Sequence, residues 1–311
     1  MIRLVYYVIY QIITKLYGKI QIRIKNNIGY IINTKSISKE LTFVFDFNNM
    51  NLGDCFFYSL LIFNLNNNGY KLEIHLSKEK KQIYDKIVFL NSKNIKYKNN
   101  LIDYNNFSKK KILISSIWSV KLKYIRNLNY LLFDCTDTRI KNRIAEHIYH
   151  STINELKLNT GKVYKFIEYK FDQEINHKLQ NVKYVIFSEE INSGFHRINK
   201  KKINKLTFLL NQIKSDIELI KVGKYKSELK LSRKFTDFGG KLEINEILNL
   251  INNPNCLCVL GFDTFFMHFS SILGKNTNIV IRKFSKKYTN FIKNKLFPIY
   301  NINNNSINFY E

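Results

Sequence analysis

Cys256-Leu-Cys-Val-Leu-Gly-Phe-Asp-Thr-Phe-Phe-Met-His-Phe-Ser-Ser-Ile-Leu-Gly274 is the stretch on which the fold turns. Its apolar run, Cys256 to Leu260, predicts a buried strand. Asp263 and Thr264 are helix-capping residue types, so they predict a helix that opens there and ends at Gly274. With Asn276–Arg282 as the next strand, the stretch is a βαβ unit. A strand feeding a capped helix leaves unpaired backbone N–H groups and a positive dipole end at the strand's carboxyl edge. Phosphates bind in such places.

Working outward, the same alternation recurs. Strands are expected at Leu41–Phe47, Lys71–Leu76, Lys111–Ser115 and Tyr130–Asp134, with helices at Asp54–Leu65, Lys78–Leu90 and Arg139–Tyr149. Periodicity fades over 151–181, which places a linker there. It then restarts with strand Lys183–Phe187, helix Lys201–Lys214, strand Ile217–Val222, a short strand near Phe235–Phe238 and helix Ile244–Ile251. A last helix is expected at Lys286–Lys295. Strands alternating with helices give parallel sheets covered on both faces. The expected fold is α/β, two Rossmann-like domains with a central cleft. The expected segments are a basic and apolar N-terminal segment (1–40), a first Rossmann-like domain (41–165), a second (182–285), and a C-terminal helix and tail (286–311).

The chain has 311 residues, 45% of them hydrophobic, enough for substantial cores. Lysine and arginine number 50 against 24 acidic residues, a formal charge of +26. The basic residues are scattered and lack zinc-finger spacing, an aromatic RNA-binding motif or a uniform basic helix, which argues against a nucleic-acid partner. Scattered lysines suit an anionic membrane surface. In Met1–Ile20, Leu4, Tyr7, Val8, Ile12 and Leu16 fall near helical spacing. That fits either an amphipathic membrane-surface helix or a helix packed on the first domain. The segment is too polar to span a bilayer and has no signal-peptide cleavage pattern, so a cytoplasmic location is expected, peripheral on the inner face of the membrane. The four cysteines sit in apolar contexts. Cys256 and Cys258 are expected on one strand face, with no metal knuckle and no metal site. Dinucleotide and P-loop motifs are missing, as is the Asp-x-Asp pair of metal-dependent sugar-nucleotide transfer.

Asp263, Thr264 and His268, followed by Leu273-Gly274-Lys275, resemble the C-terminal signature of the glycosyltransferase family 9 heptosyltransferases, an Asp-Thr/Ser-Gly-x-x-His stretch that binds the nucleotide-sugar diphosphate. Upstream, Asn51-Leu-Gly-Asp54 after the Leu41–Phe47 strand resembles the family's first-strand exit. One departure stands out: Phe265 occupies the position of the family glycine, where a phenyl ring narrows the backbone's approach to phosphate unless it turns away. The resemblance implies a glycosyltransferase B fold and an inverting, metal-independent transferase without cofactor. Such an enzyme would move a heptose-like sugar from a nucleotide-diphosphate donor, ADP-heptose in the family, to a lipopolysaccharide or other anionic surface glycan or glycolipid.

That chemistry needs a base for the acceptor hydroxyl and positive charge for the departing diphosphate. The resemblance assigns the catalytic aspartate to Asp54, whose plain alternative is a helix cap. Arg197, and after it Lys200, follow the Lys183–Phe187 strand where the family carries a basic residue; a guanidinium forks onto two oxygens. His268 would donate to phosphate or pack beneath the loop. Gly223 and Glu228 resemble the family's nucleoside-contacting region. Asp137, Arg139 and Arg143 follow a strand end and suit an anionic acceptor, or pair with one another as a surface network. Trp118 suits sugar stacking or core packing. Two other readings stay open: a polysaccharide pyruvyltransferase, which shares the Asn-x-Gly-Asp start, and a degenerate, non-catalytic transferase acting as a membrane-associated binding protein.

Overall fold

The computed structural model describes residues 40–48, 52–87, 92–103, 107–108, 110–116, 131–134, 169–170, 179, 182–189, 200–281, 289–290, 292–296 and 306–311. The first sheet is built from β1 (Thr42–Asp46), β2 (Lys71–His75), β3 (Ile95–Lys98), β4 (Lys111–Ser116) and β5 (Leu131–Asp134), in the order β3-β2-β1-β4-β5. The second contains β6 (Tyr184–Ser188), β7 (Glu218–Lys221), β8 (Thr236–Asp237), β9 (Cys256–Phe262), β10 (Thr277–Val280) and β11 (Ile307–Tyr310), in the order β11-β10-β9-β6-β7-β8. Every ladder is parallel. Counted within its own half, the second sheet runs 6-5-4-1-2-3, the doubly wound order. The α/β class with two parallel sheets stands as expected.

Helices α1 (Leu52–Phe57), α2 (Ser59–Asn67), α3 (Lys78–Tyr84), α5 (Ile244–Asn252) and α6 (Phe265–Ile272) lie between the two sheets, while α4 (Lys200–Asn211) covers the far face of the second. Strand alternation decides this. Phe43 and Phe45 of β1, Leu72 and Ile74 of β2, and Tyr184 and Ile186 of β6 all enter one cluster shared by both halves. Val185 and Phe187, one residue out of phase, join Leu206 and Leu210 of α4 in a separate cluster.

The two halves meet through α1 and α6. Phe265 stands edge-on to Phe56, ring centroids 5.1 Å apart, and Phe269 lies 5.5 Å from Phe56 and 5.2 Å from Tyr169. Tyr169 in turn bridges Ile87.

The expected single helix over Asp54–Leu65 is two helices, broken at Tyr58. Tyr84 Oη donates to the carbonyl of Cys55 at 2.8 Å and so holds the break from outside. The α6 helix ends as expected. The amide of Gly274 donates to Ser271 and that of Lys275 to Ser270, a Schellman pair. Two strands, β3 and β11, were not expected. The thiols of Cys256 and Cys258 do not share a face, because the β6–β9 register slips at Tyr184/Val185 and Leu257 is bulged out. Cys256 therefore enters the shared cluster while Cys258 packs with α4's. Burial pushes their thiols up to about 12 and about 11, which keeps them protonated and inert. Of the last expected helix, Ile292–Leu296 forms a π-helical turn.

Candidate functional site

The second sheet reverses its winding between β6 and β9: α4 follows β6 onto one face and α6 follows β9 onto the other. Ligands of open α/β sheets settle at the carboxyl edge of such a switch point. Here the edge consists of Ser188, Gly261 and the turn Asp263–Thr264. Ser188 closes β6 opposite Gly261. A Cβ on Gly261 would lie 2.4 Å from the Ser188 carbonyl oxygen, so only glycine lets β9 pass there.

Thr264 is the N-cap of α6, as the sequence predicts. Its backbone is extended, with φ −129° and ψ 178°, and its carbonyl accepts from the amides of Met267 at 3.0 Å and His268 at 3.3 Å. Its hydroxyl makes no capping bond. The Thr264 Oγ1 and the Ser188 Oγ are both buried without any hydrogen-bond partner. An unmet buried hydroxyl costs about 1–3 kcal/mol, so two at one sheet edge, beside the first amides of an eight-residue helix, form a polar cradle suited to an anion. Asp263 and His268 are buried in the same turn and first helical turns, 6% and 3% exposed.

Phe265 turns away from this edge. Its ring contacts are Phe56, Phe266 and Phe269, and its Cβ lies 3.8 Å from where a Cβ on Gly53 would stand. The residue in the glycine's place thus seals α6 against α1. Asp54 is the third residue of α1, inside the helix rather than capping it, and Gly53 beside it faces the Phe265 turn.

A second polar group sits where β6, β7 and β8 end. Lys221 is wholly buried and its Nζ donates to the Tyr225 carbonyl. A Cβ on Gly239 would fall 2.0 Å from that carbonyl oxygen and 2.8 Å from the Lys221 Nζ. Asp237 accepts the amides of Ser227 and Gly239, both at 2.8 Å. Burial opposes its charge, but those amides with Lys221 and Lys241 hold its carboxyl below the ordinary value. Glu189 accepts the Ser227 hydroxyl at 2.9 Å and the Glu228 amide at 2.8 Å. Gly223 accepts the amide of Gly240 at 2.8 Å. The expected pair Gly223 and Glu228 therefore does flank a built turn, but Glu228 itself is exposed and the carboxylate that organises the turn is Glu189. Its signal in the sequence was its place, directly after a buried strand.

The first half holds an ion cluster that the sequence reading missed. Glu73 meets His75 Nε2 at 2.7 Å, Lys98 at 3.1 Å and Lys111 at 2.9 Å, and His75 Nδ1 lies 2.9 Å from the Asn100 carbonyl. Burial raises the Glu73 carboxyl, yet its bonds from Lys111, His75 and Lys98 prevail and bring it down to about 2.

Lys200 opens α4 and is exposed. Arg197, Asp137, Arg139, Arg143, Trp118, the N-terminal segment 1–39 and the helix expected at Arg139–Tyr149 lie outside the described residues. Among the described residues no group of three or more His, Cys, Asp or Glu is placed to hold a metal ion, and no helix is long and apolar enough to cross a membrane.

No family model matches the chain, and no curated protein matches it by sequence. Solved structures do. The glycosyltransferase family 9 protein of Veillonella parvula is similar over 89% of this chain and 88% of its own, at 11% identity and a TM-score of 0.56. The fold is that of the family 9 glycosyltransferases. The Escherichia coli heptosyltransferase WaaC, solved with ADP, matches over 87% of this chain and 94% of its own, at 10% identity and a TM-score of 0.52. The iron-containing dodecameric glycosyltransferase TibC of enterotoxigenic Escherichia coli matches over 80% and 60%, at 11% identity and 0.51.

Proposed function

We propose that this chain is a glycosyltransferase whose nucleotide-diphosphate sugar donor binds at the β6–β9 switch point. The observation that carries this reading is the pair of buried, unmet hydroxyls, Ser188 Oγ and Thr264 Oγ1, at the N-terminal end of α6. A diphosphate supplies acceptors for both hydroxyls and for the first amides of the helix. In the reading, Asp263, Thr264, His268, Arg197 and Lys200 serve the diphosphate, and the Gly223–Glu228 turn, fastened by Glu189, serves the nucleoside. Asp54 takes the proton of the acceptor hydroxyl. The freed oxygen then attacks the anomeric carbon as the bond to the diphosphate breaks, an inverting, metal-independent displacement whose departing charge the α6 amides stabilise. The sugar is heptose-like and the acceptor a lipopolysaccharide or other anionic surface glycan, met by Asp137, Arg139 and Arg143. The protein works in the cytoplasm, peripheral to the inner face of the membrane.

Calorimetric titration of ADP, ADP-heptose, UDP-sugars, CMP-sugars and phosphoenolpyruvate against wild type, Ser188→Ala and His268→Ala tests the site. The expected result is selective binding of one nucleotide, weakened at least tenfold in both variants. Binding that ignores both substitutions removes the donor from this edge, and phosphoenolpyruvate binding alone moves the chain to the pyruvyltransferases. One observation favours a second reading, a binding protein without turnover: Phe265 seals α1, and with it the Asp54 segment, against α6. Donor binding with neither transfer nor donor hydrolysis, and an Asp54→Ala variant of unchanged phenotype, would select it.

A further inference from the structure

The far face of the second sheet carries an outer layer of two segments, α4 with its following turn (200–214) and the strap 228–235. They hold eight basic residues and one acidic residue, Glu228. That is a net +7 in 23 residues, against +26 in 311 for the whole chain, several times the average density. Both segments present most of this charge outward; Lys202, 4% exposed, is buried. In α4, Leu206 and Leu210 are fully buried against the sheet while Lys201, Asn204 and Phe208 face outward at helical spacing. In the strap, Leu229, Leu231 and Phe235 pack inward and Lys230, Ser232 and Lys234 alternate outward. Arg233 does not join the outer charge. Its guanidinium donates to the carbonyls of Ile213 and Lys214 at 2.7 Å each, to Ser215 at 3.3 Å and to Ile217, which fixes the strap to the turn after α4.

Phe208 stands on the outer face of α4, 53% exposed, one of three strongly exposed large apolar side chains among the described residues. The Lys205 amine lies 5.9 Å from its ring centroid and 5.9 Å from that of Tyr310, the end of the neighbouring edge strand. An exposed phenyl ring with a lysine amine beside it, on a face rich in outward lysines, matches the interfacial zone of a bilayer: the ring enters the acyl boundary and the amines meet headgroup phosphates. Single-stranded nucleic acid asks instead for a groove with several stacking rings, and the strongly exposed ring that α4 and the strap carry among the described residues is that of Phe208.

We propose that the outer layer formed by α4 and the 228–235 strap docks on an anionic phospholipid bilayer, with Phe208 inserted and Lys201, Lys205, Lys230 and Lys234 over the headgroups. The proposal rests on the membrane placement stated under Proposed function and assigns it a surface. The test is flotation of the full chain with phosphatidylcholine vesicles containing or lacking one third phosphatidylglycerol. It compares wild type with Phe208→Ser and with Lys201→Ser/Lys205→Ser; Lys201 and Phe208 are exposed, Lys205 is half-buried and none of the three belongs to a core cluster, so melting curves should be nearly unchanged. Wild type should bind anionic vesicles and not neutral ones. Each lysine lost should lower partitioning about fivefold, about 25-fold for the pair, and Phe208→Ser should lower it about tenfold. Anionic-vesicle binding that both variants retain would overturn this surface and leave the membrane placement standing. Wild type that binds no vesicle overturns both. Lost affinity for single-stranded nucleic acid, with vesicle binding intact, would reassign the face.

Discussion

Replacing Phe265 by glycine, the residue at this position in the resembling family, asks whether the ring joins the two halves. Full truncation of a buried phenylalanine costs about 3–5 kcal/mol. Phe265 is only half-buried, so about 2–3 kcal/mol is the share expected here, including the edge-to-face contact with Phe56 at 5.1 Å. Glycine in the first turn of α6 adds about 1 kcal/mol over alanine. Phe265→Ala should therefore destabilise by about 2–3 kcal/mol and Phe265→Gly by about 3–4, measured as the change in urea midpoint at constant slope by far-ultraviolet circular dichroism. A double-mutant cycle with Phe56→Ala should return a coupling of about 0.5–1.5 kcal/mol. Because the ring faces α1 and its own helix, Phe265→Ala should leave the affinity for the bound nucleotide within about threefold. A cost below about 1 kcal/mol with no coupling to Phe56 refutes the claim that this residue joins the halves. A tenfold gain in nucleotide affinity refutes the claim that the ring has turned away from the phosphate edge.

Gly239→Ala pushes a methyl group into the Tyr225 carbonyl and the Lys221 Nζ, so it should cost about 3 kcal/mol or more in urea unfolding and loosen proteolytic resistance around Lys224–Lys226. Acid should weaken the first half through Glu73. Its folded carboxyl lies at about 2, below its ordinary 4.5, so its contribution is complete above pH 4.5 and fades as pH falls from there toward 2. With Lys98 and Lys111 partly exposed, that contribution is about 1–2 kcal/mol, and Glu73→Gln should flatten the acid limb of a stability–pH curve by this amount. Cys256 and Cys258, with thiols held up by burial, should resist a maleimide at pH 7.5 in the folded protein and react fully in 6 M guanidinium.

Long apolar runs and capped helices were legible because one signal sufficed for each. The Cys256 strand, the Thr264 cap and the Gly274 stop all stand where the residues put them. The strands β3, Ile-Lys-Tyr-Lys, and β11, Ile-Asn-Phe-Tyr, escaped because they are four residues long, sit at sheet edges and lie among asparagines and lysines. In Lys71-Leu-Glu-Ile-His75 the alternation reads as a half-solvated strand. A parallel sheet is covered on both faces, however, so Glu73 and His75 are buried and must pair. That inference was open to sequence reasoning. The slip that parts Cys256 from Cys258 was not, since a bulge depends on the partner strand and leaves no local mark. The role of Glu189 was hidden for a related reason: its partners, at 227–228, come from a turn 38–39 residues on, while Lys221 is held by the Tyr225 carbonyl in a turn without a strand or helix signal.

The cluster in which Phe43, Ile186, Phe56 and Phe269 all take part belongs to neither half alone. Cutting the chain between the sheets would strip each fragment of part of its interior, so the halves should melt in one transition and neither should be recovered as a stable fragment. The same continuity sets the mechanics. Any opening between the sheets has to part the Phe56–Phe265–Phe269 contact or pivot upon it, so loosening those rings should loosen both halves together.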